Sequence, residues 1–373
     1  MRFELTEERQ MLQDGLRRML ADSVDLKKIV EGDDPWSQAT WNALAEMGVI
    51  GALFTEDQGG FGGAGFDLSV VFEEIGRAGA PEPLIESLIA GRLIAELGND
   101  AQKAHIEEVI AGATHLALAH SEPGARFDLS RVATEARQDG DGWVLSGRKS
   151  VVANAGSADY IVVSARTAGN SADEDGLSLF LLPKGTEGVD LHDYPLTGGG
   201  SAAEIALRDV RLPGTALLGE AGHAFPQIEL AVARGITAQC AEALGLMERI
   251  RDLTADYLQS RTQFGQPLIK FQALAFRMAD LLIEIEQVRS AVINIAGHLE
   301  ADRATREIHV SAAKELTCRV AKQVVEESIQ MHGGIGITQE YDLGHFVQRL
   351  TMVHHRFGDA LFHRARFAGL RAA

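Results

Sequence analysis

Apolar and polar positions along this chain follow three successive patterns. Thr6, a helix-capping residue type followed by Glu7 and Glu8, opens a stretch that sets Met11, Leu12, Leu16, Met19 and Leu20 on one face. This spacing predicts an amphipathic helix. Helical patterns continue from Trp41 to Met47, from Leu68 to Arg77 and from Pro83 to Leu97, interrupted by the glycine-rich run Gln58–Gly65. That run contains no Lys or Arg, so it reads equally as a ligand cradle or as a connection between helices. From residue 114 the period shortens to two, with apolar runs at His115–His120, Trp143–Leu145, Tyr160–Ser164, Leu177–Leu182 and Ala203–Leu207. The paired Asp-Gly steps of Asp139-Gly140-Asp141-Gly142 predict a tight hairpin among them. After Pro213 and Gly214, Gly219 and Gly222, long helical periods return at Phe225–Arg261, Leu268–Ala296, Arg306 to Met331 and Leu343–Phe367. The expected fold class is α+β: an N-terminal helical domain over 1–113, a middle β domain (sandwich or barrel) over 114–213, and a C-terminal four-helix bundle over 214–373.

Composition narrows the function classes. Of the 373 residues 46% are apolar, enough to build more than one core, and 53 acidic against 35 basic residues give a net charge of −18. Such a balance argues against a nucleic-acid surface or an anionic membrane as partner. No stretch is long and apolar enough to cross a bilayer, and Met1–Arg9 has no signal-peptide character, so a cytoplasmic protein without membrane insertion is expected. Cys240 and Cys318 sit in apolar helical patterns as buried thiols, and the adjacent His354 and His355 point in different directions on a helix. No metal centre is expected.

Two segments carry candidate chemistry. Ser260-Arg261-Thr262-Gln263-Phe264-Gly265-Gln266-Pro267-Leu268 places a guanidinium at the end of a long helical pattern, able to hold a phosphate through paired N–H donors. Gln330-Met331-His332-Gly333-Gly334-Ile335-Gly336 supplies backbone without side chains, which lets main-chain N–H groups approach an anion. Together they predict a phosphate-binding site.

On these two motifs, extended by Phe271-Gln272 and by Ile337-Thr338-Gln339-Glu340-Tyr341, and on the helical, β, helical-bundle order, the whole chain resembles the acyl-CoA dehydrogenase family. The resemblance implies FAD as cofactor, an acyl-CoA thioester as substrate, an oligomer, and an electron-transfer flavoprotein as electron acceptor. It implies that Arg261, Gln263, Phe264, Phe271, Gln272, Gln330, Gly333 and Gly334 reach the pyrophosphate and adenosine half of a neighbouring subunit's flavin. His120-Ser121-Glu122-Pro123-Gly124-Ala125 resembles the family's flavin-edge segment, with Ser121 on the isoalloxazine. Lys149-Ser150-Val151-Val152-Ala153-Asn154 stands where the family offers Trp and Thr, leaving Val151 and Ala153 as apolar and backbone contacts. Arg126, Arg208 and Arg234 are candidate contacts for CoA phosphates.

Dehydrogenation of an acyl thioester needs a carboxylate to remove the α-proton while the flavin accepts the β-hydride. Both positions at which the resemblance implies that glutamate are glycines here, Gly358 and Gly235. Asp359 and Glu242 are the alternative carboxylates, the latter seven residues beyond Gly235 on the same helix face. Gly358-Asp359 followed by His363-Arg364 resembles the base-lacking small subunits of two-component acyl-CoA dehydrogenases, such as the pimeloyl-CoA type. The expectation is therefore a subunit that completes a base-bearing partner's FAD site. A self-sufficient homo-oligomeric dehydrogenase or oxidase using Asp359 or Glu242, or a non-catalytic structural subunit, are the other readings.

Overall fold

The computed structural model describes residues 5–31, 34–338 and 340–372; Met1–Glu4 and Gln339, both quoted above, lie outside the described residues. Seven helices build the N-terminal unit: α1 (Glu7–Ser23), α2 (Leu26–Glu31), α3 (Gln38–Glu46), α4 (Gly65–Ala78), α5 (Leu84–Leu97), α6 (Asp100–Lys103) and α7 (His105–Ile110). Thr6 caps α1, whose Leu16 and Leu20 are buried while Met11, expected on the same face, is exposed. The glycine-rich run before α4 is packed rather than open. A Cβ at Gly60 would lie 2.3 Å from the carbonyl oxygens of Gly51 and Phe54, and Arg92 donates to the carbonyl of Gly63 at 3.3 Å.

The β domain holds β1 (Leu116–Ala119), β2 (Glu135–Asp139), β3 (Gly142–Ala153), β4 (Tyr160–Arg166), β5 (Leu177–Pro183), β6 (Val189–Pro195), β7 (Ser201–Pro213) and β8 (Leu217–Leu218). They form one sheet in the order β6-β7-β3-β2-β4-β5-β8, with β1 added parallel to β4. The Asp-Gly hairpin forms, Asp139 opposite Gly142. Strands β2 and β6 escape the apolar-run reading because their side chains are mostly solvated, β6 as the edge of the sheet and β2 with a single residue paired to β4. Ala119, Leu145, Ile161, Val163, Phe180, Ile205 and their neighbours make a separate core inside this domain. A larger core runs through both helical units and one face of the sheet.

Helices α8 (Phe225–Ser260), α9 (Gln272–His298) and α10 (Arg303–His332) follow the expected bundle, with the hairpin β9 (Thr262–Gln263) and β10 (Gln266–Pro267) between the first two. The fourth helical period is divided into α11 (Leu343–Thr351) and α12 (Ala360–Ala372). Between them Phe357 and Gly358 adopt φ of +60° and +114°, values a helix cannot contain. Asp359 then restarts the helix, its carboxylate accepting the Phe362 N–H at 2.8 Å.

Candidate active site

A cavity of about 840 Å³ opens between the β domain and the bundle, walled by residues of all three units. One wall is the segment from His120 to Arg131 together with Ser150, Val151 and Ala153 of β3. The Ser150 N–H donates to the Ser121 carbonyl at 2.9 Å and stitches the two strips together. Val151 sits at φ +52° with its side chain 57% exposed, an apolar surface presented rather than packed away. The opposite wall comes from Phe225, Val232, Ile236, Gln239, Glu242 and Leu246 of α8 and from the irregular stretch after α11.

The glutamates facing this space are each ion-paired, and the one aspartate is hydrogen-bonded to a neighbouring serine. Glu86 of α5 accepts from Arg356 at 2.6 Å, and Glu242 from Arg349 at 2.7 Å. Glu229 and Glu307 share Arg366, at 3.0 and 2.8 Å; Glu229 also holds Arg303, and Arg303 in turn reaches Glu174 at 2.9 Å. Glu122 pairs with Lys149 at 2.7 Å. Asp128 accepts from the Ser130 N–H and hydroxyl at 3.1 and 2.8 Å. Each guanidinium contact is a charge-assisted hydrogen bond that fixes the orientation of its carboxylate.

The two positions at which a glutamate is expected are also filled sterically. A Cβ at Gly235 would lie 2.9 Å from Cζ of Phe357, so the Phe357 ring occupies that side-chain space. A Cβ at Gly358 would lie 2.4 Å from Nε2 of His363 and 2.7 Å from Cδ1 of Phe362. His363 is held there by its own bond, Nε2–H to the Phe357 carbonyl at 2.8 Å, and burial pushes its pKa down to about 3, leaving the ring neutral. Asp359 is not among the cavity-lining residues and is committed to capping α12.

The other predicted residues lie elsewhere. Tyr257 of α8 stacks on His332 of α10 at 4.5 Å, bringing the ends of these helices together. Around that tip Arg261, Gln263, Phe264, Gln272, Gln330, Gly333 and Gly334 are exposed, with Phe271 half-buried against Phe264 at 6.1 Å. None of them lines the cavity. Phe264 is 91% exposed, and nothing lies within 4 Å of a Cβ added at Gly333 or Gly334. Ser121, Val151 and Ala153 do line the cavity, so the predicted cofactor contacts separate into an inner and an outer group. Of the candidate phosphate contacts only Arg126 borders the cavity; Arg208 pairs with Asp190, and Arg234 is buried against Glu96. Sequence reasoning passed over Glu86, Arg349, Arg356 and Lys149. The signal for the first was a charge set among the apolar residues of the first turn of α5.

Residues 6–113, 117–210 and 222–359 match the N-terminal, middle and C-terminal domains of acyl-CoA dehydrogenase, respectively. The probable acyl-CoA dehydrogenase YngJ of Bacillus subtilis is 30% identical over 351 residues, 91% of this chain and 92% of that protein. The chain belongs to the acyl-CoA dehydrogenase family. Butyryl-CoA dehydrogenase from Megasphaera elsdenii superposes with a TM-score of 0.91 at 26% identity over the whole of both chains. A variant of the Tcur3481–Tcur3483 steroid acyl-CoA dehydrogenase does so with 0.88 at 31% identity over 98% of each.

Acyl-CoA dehydrogenases are FAD-dependent oxidoreductases that act on a CH–CH bond. The residues present fit that cofactor: the β wall offers Ser121 and a flat apolar strip at Val151 and Ala153, and the outer tip offers a guanidinium beside side-chain-free backbone. When bound, FAD supplies the acceptor for the hydride leaving the acyl β-carbon. Ser121 and the 150–153 strip would be the residues that orient its ring and the apolar faces of α8 those that exclude water, while Arg126 borders the cavity. Among the described residues no cluster of metal-ligating side chains occurs and no helix is long and apolar enough to span a membrane.

Proposed function

We propose that this chain is the base-lacking subunit of an FAD-dependent acyl-CoA dehydrogenase, assembled with a base-bearing chain of the same family whose FAD its Arg261 and Gly333–Gly334 tip completes. The carrying observation is the state of the cavity: its glutamates are all charge-paired, and the side-chain space at 235 and 358 is occupied by Phe357 and His363. Glu242 is the candidate base named from the sequence that reaches the cavity, and Arg349 grips it with two nitrogens. The exposed phosphate-type tip supports the same reading, since a guanidinium and open glycines turned away from the chain's own cavity suit a ligand held by a neighbour. The two-part name of the steroid relative agrees with a pair of chains. The complex works in the cytoplasm on acyl-CoA and passes electrons to an electron-transfer flavoprotein.

The test is the visible spectrum of the purified chain, alone and co-expressed with a base-bearing acyl-CoA dehydrogenase, before and after anaerobic addition of acyl-CoAs. Substrate-dependent bleaching confined to the assembled pair is expected. Stoichiometric flavin in the isolated chain that bleaches with an acyl-CoA would overturn the proposal.

A further inference from the structure

Behind the β wall of the cavity lies a buried polar group that the dehydrogenase chemistry does not use directly. Lys149 is 1% exposed, and its ammonium donates to Glu122 Oε1 at 2.7 Å, to Ser164 Oγ at 3.0 Å and to the His120 carbonyl at 3.3 Å. Glu122 spends its remaining capacity on backbone, accepting the N–H of Ala133 at 2.6 Å and of Thr134 at 3.0 Å. On the second branch Ser164 Oγ, which accepts from Lys149, also bonds Nδ1 of His120 at 2.9 Å. Burial keeps that imidazole neutral, its pKa pushed down to about 3.

The group therefore grips the segment 120–134 at His120, at Glu122 and at Ala133–Thr134, while Lys149 belongs to the other strip of the same wall, next to Ser150 and Val151. The same segment is also tied by Arg166, which donates to the carbonyls of Val132 at 3.2 Å and Ser130 at 2.7 Å, and by the Val132 N–H to the Ser171 carbonyl; the Lys149–Glu122 pair adds the charged link between this segment and the β3 strip. A buried ion pair is weak support for stability, because apolar residues of like volume fill such a space as well or better. What apolar residues do not reproduce is the directed set of bonds to three backbone groups, the His120 carbonyl and the Ala133 and Thr134 N–H groups.

We infer that Lys149, Glu122, Ser164 and His120 form a positioning lock that sets the two strips of the cavity wall, and hence Ser121 and Val151, at the geometry needed to hold a flavin ring. The inference rests on the functional reading above for the identity of the ligand. The lock itself is testable without it.

Three variants separate positioning from structural support: Lys149→Met, the double variant Lys149→Met with Glu122→Leu, and Ser164→Ala, which removes one hydroxyl and is the mildest. Each is made in the full chain and in the chain assembled with a base-bearing partner. Thermal midpoint, amide hydrogen exchange over 120–134, FAD dissociation constant and the fine structure of the flavin absorption band are measured. Expected are a large loss of thermal midpoint in Lys149→Met and a partial recovery in the double variant, which removes the unpaired charge but leaves the Ala133 and Thr134 N–H groups without their acceptor. At that partly recovered stability, exchange at Ala133 and Thr134 is at least tenfold faster and FAD binds at least tenfold more weakly with an altered band shape. Ser164→Ala shifts the same readouts in the same direction by a smaller factor. If the double variant or, should it not fold, Ser164→Ala leaves exchange over 120–134 and FAD affinity within twofold of the parent, the lock is merely structural and the inference fails. If the parent itself takes up no FAD in either form, the functional reading fails, and exchange over 120–134 still decides the lock.

Discussion

The inner cavity and the outer tip of the bundle were built under opposite rules. Around the cavity, charge is met by charge and space by side chain: Glu86 by Arg356, Glu242 by Arg349, the gap at Gly235 by Phe357, the gap at Gly358 by His363. At the tip, Arg261, Phe264, Gly333 and Gly334 are exposed, with open space where a side chain at either glycine would go. Burying a carboxylate without a partner is costly, and each glutamate of the cavity is paired. Leaving an aromatic ring and bare backbone uncovered carries its own cost, which on the proposed function a second chain's ligand would offset on assembly. The contrast is what a subunit that contributes to another chain's site should look like.

The sharpest way to break this comparison is at Glu242. Arg349→Ala leaves that carboxylate buried and unpaired and is expected to cost about 3–5 kcal/mol in urea unfolding. Glu242→Gln keeps a hydrogen-bonding partner for Arg349 and is expected to cost far less. If Glu242→Gln instead abolished substrate-dependent flavin bleaching in an otherwise active isolated chain, the cavity would own its base after all.

Restoring a glutamate at 358 comes next. Gly358→Glu places a side chain against His363 at a backbone angle that only glycine tolerates, so a loss of roughly 3 kcal/mol and no gain of dehydrogenase activity are expected. A variant that unfolded at the parent's denaturant midpoint and oxidised acyl-CoA by itself would show the segment to be open.

The same histidine gives a pH signature. Its folded pKa, about 3, lies below the ordinary 6.5, so between those values the unfolded chain binds a proton that the folded chain refuses. Stability contributed by the neutral ring is complete above pH 6.5 and is lost as pH falls toward 3, about 2 kcal/mol of it by pH 5. His120 acts in the same direction. Glu82, raised to about 7 by burial, acts oppositely between 4.5 and 7. Comparing the parent with His363→Gln cancels both, and the variant is expected to show a shallower decline between pH 7 and pH 5.

The smallest expected effect lies at the tip. Arg261→Ala removes a charge-assisted phosphate contact and is expected to weaken FAD retention by the assembled protein about tenfold, with the unfolding midpoint of the isolated chain unchanged. A fall in that midpoint would mean that Arg261 serves its own chain.

Much of this protein was legible from residue order alone. The periods of apolar positions determined which stretches are helix and strand and the order of the three units, because periodicity depends only on which residues must face a core. The Arg261 and Gly333–Gly334 motifs and the glycines at 235 and 358 were visible for the same reason: their chemistry belongs to the residue itself. The fourth helical period misled because its apolar spacing runs through 352–359 unbroken, while the left-handed backbone at Phe357 depends on His363 and Gly235 packing around it. What each carboxylate does was decided only by tertiary structure. Glu86 meets Arg356 across 270 positions and Glu242 meets Arg349 across 107, whereas Asp359 bonds three residues ahead as a cap. A carboxylate's basicity is set by the charge folded against it, and no local pattern records which charge that will be.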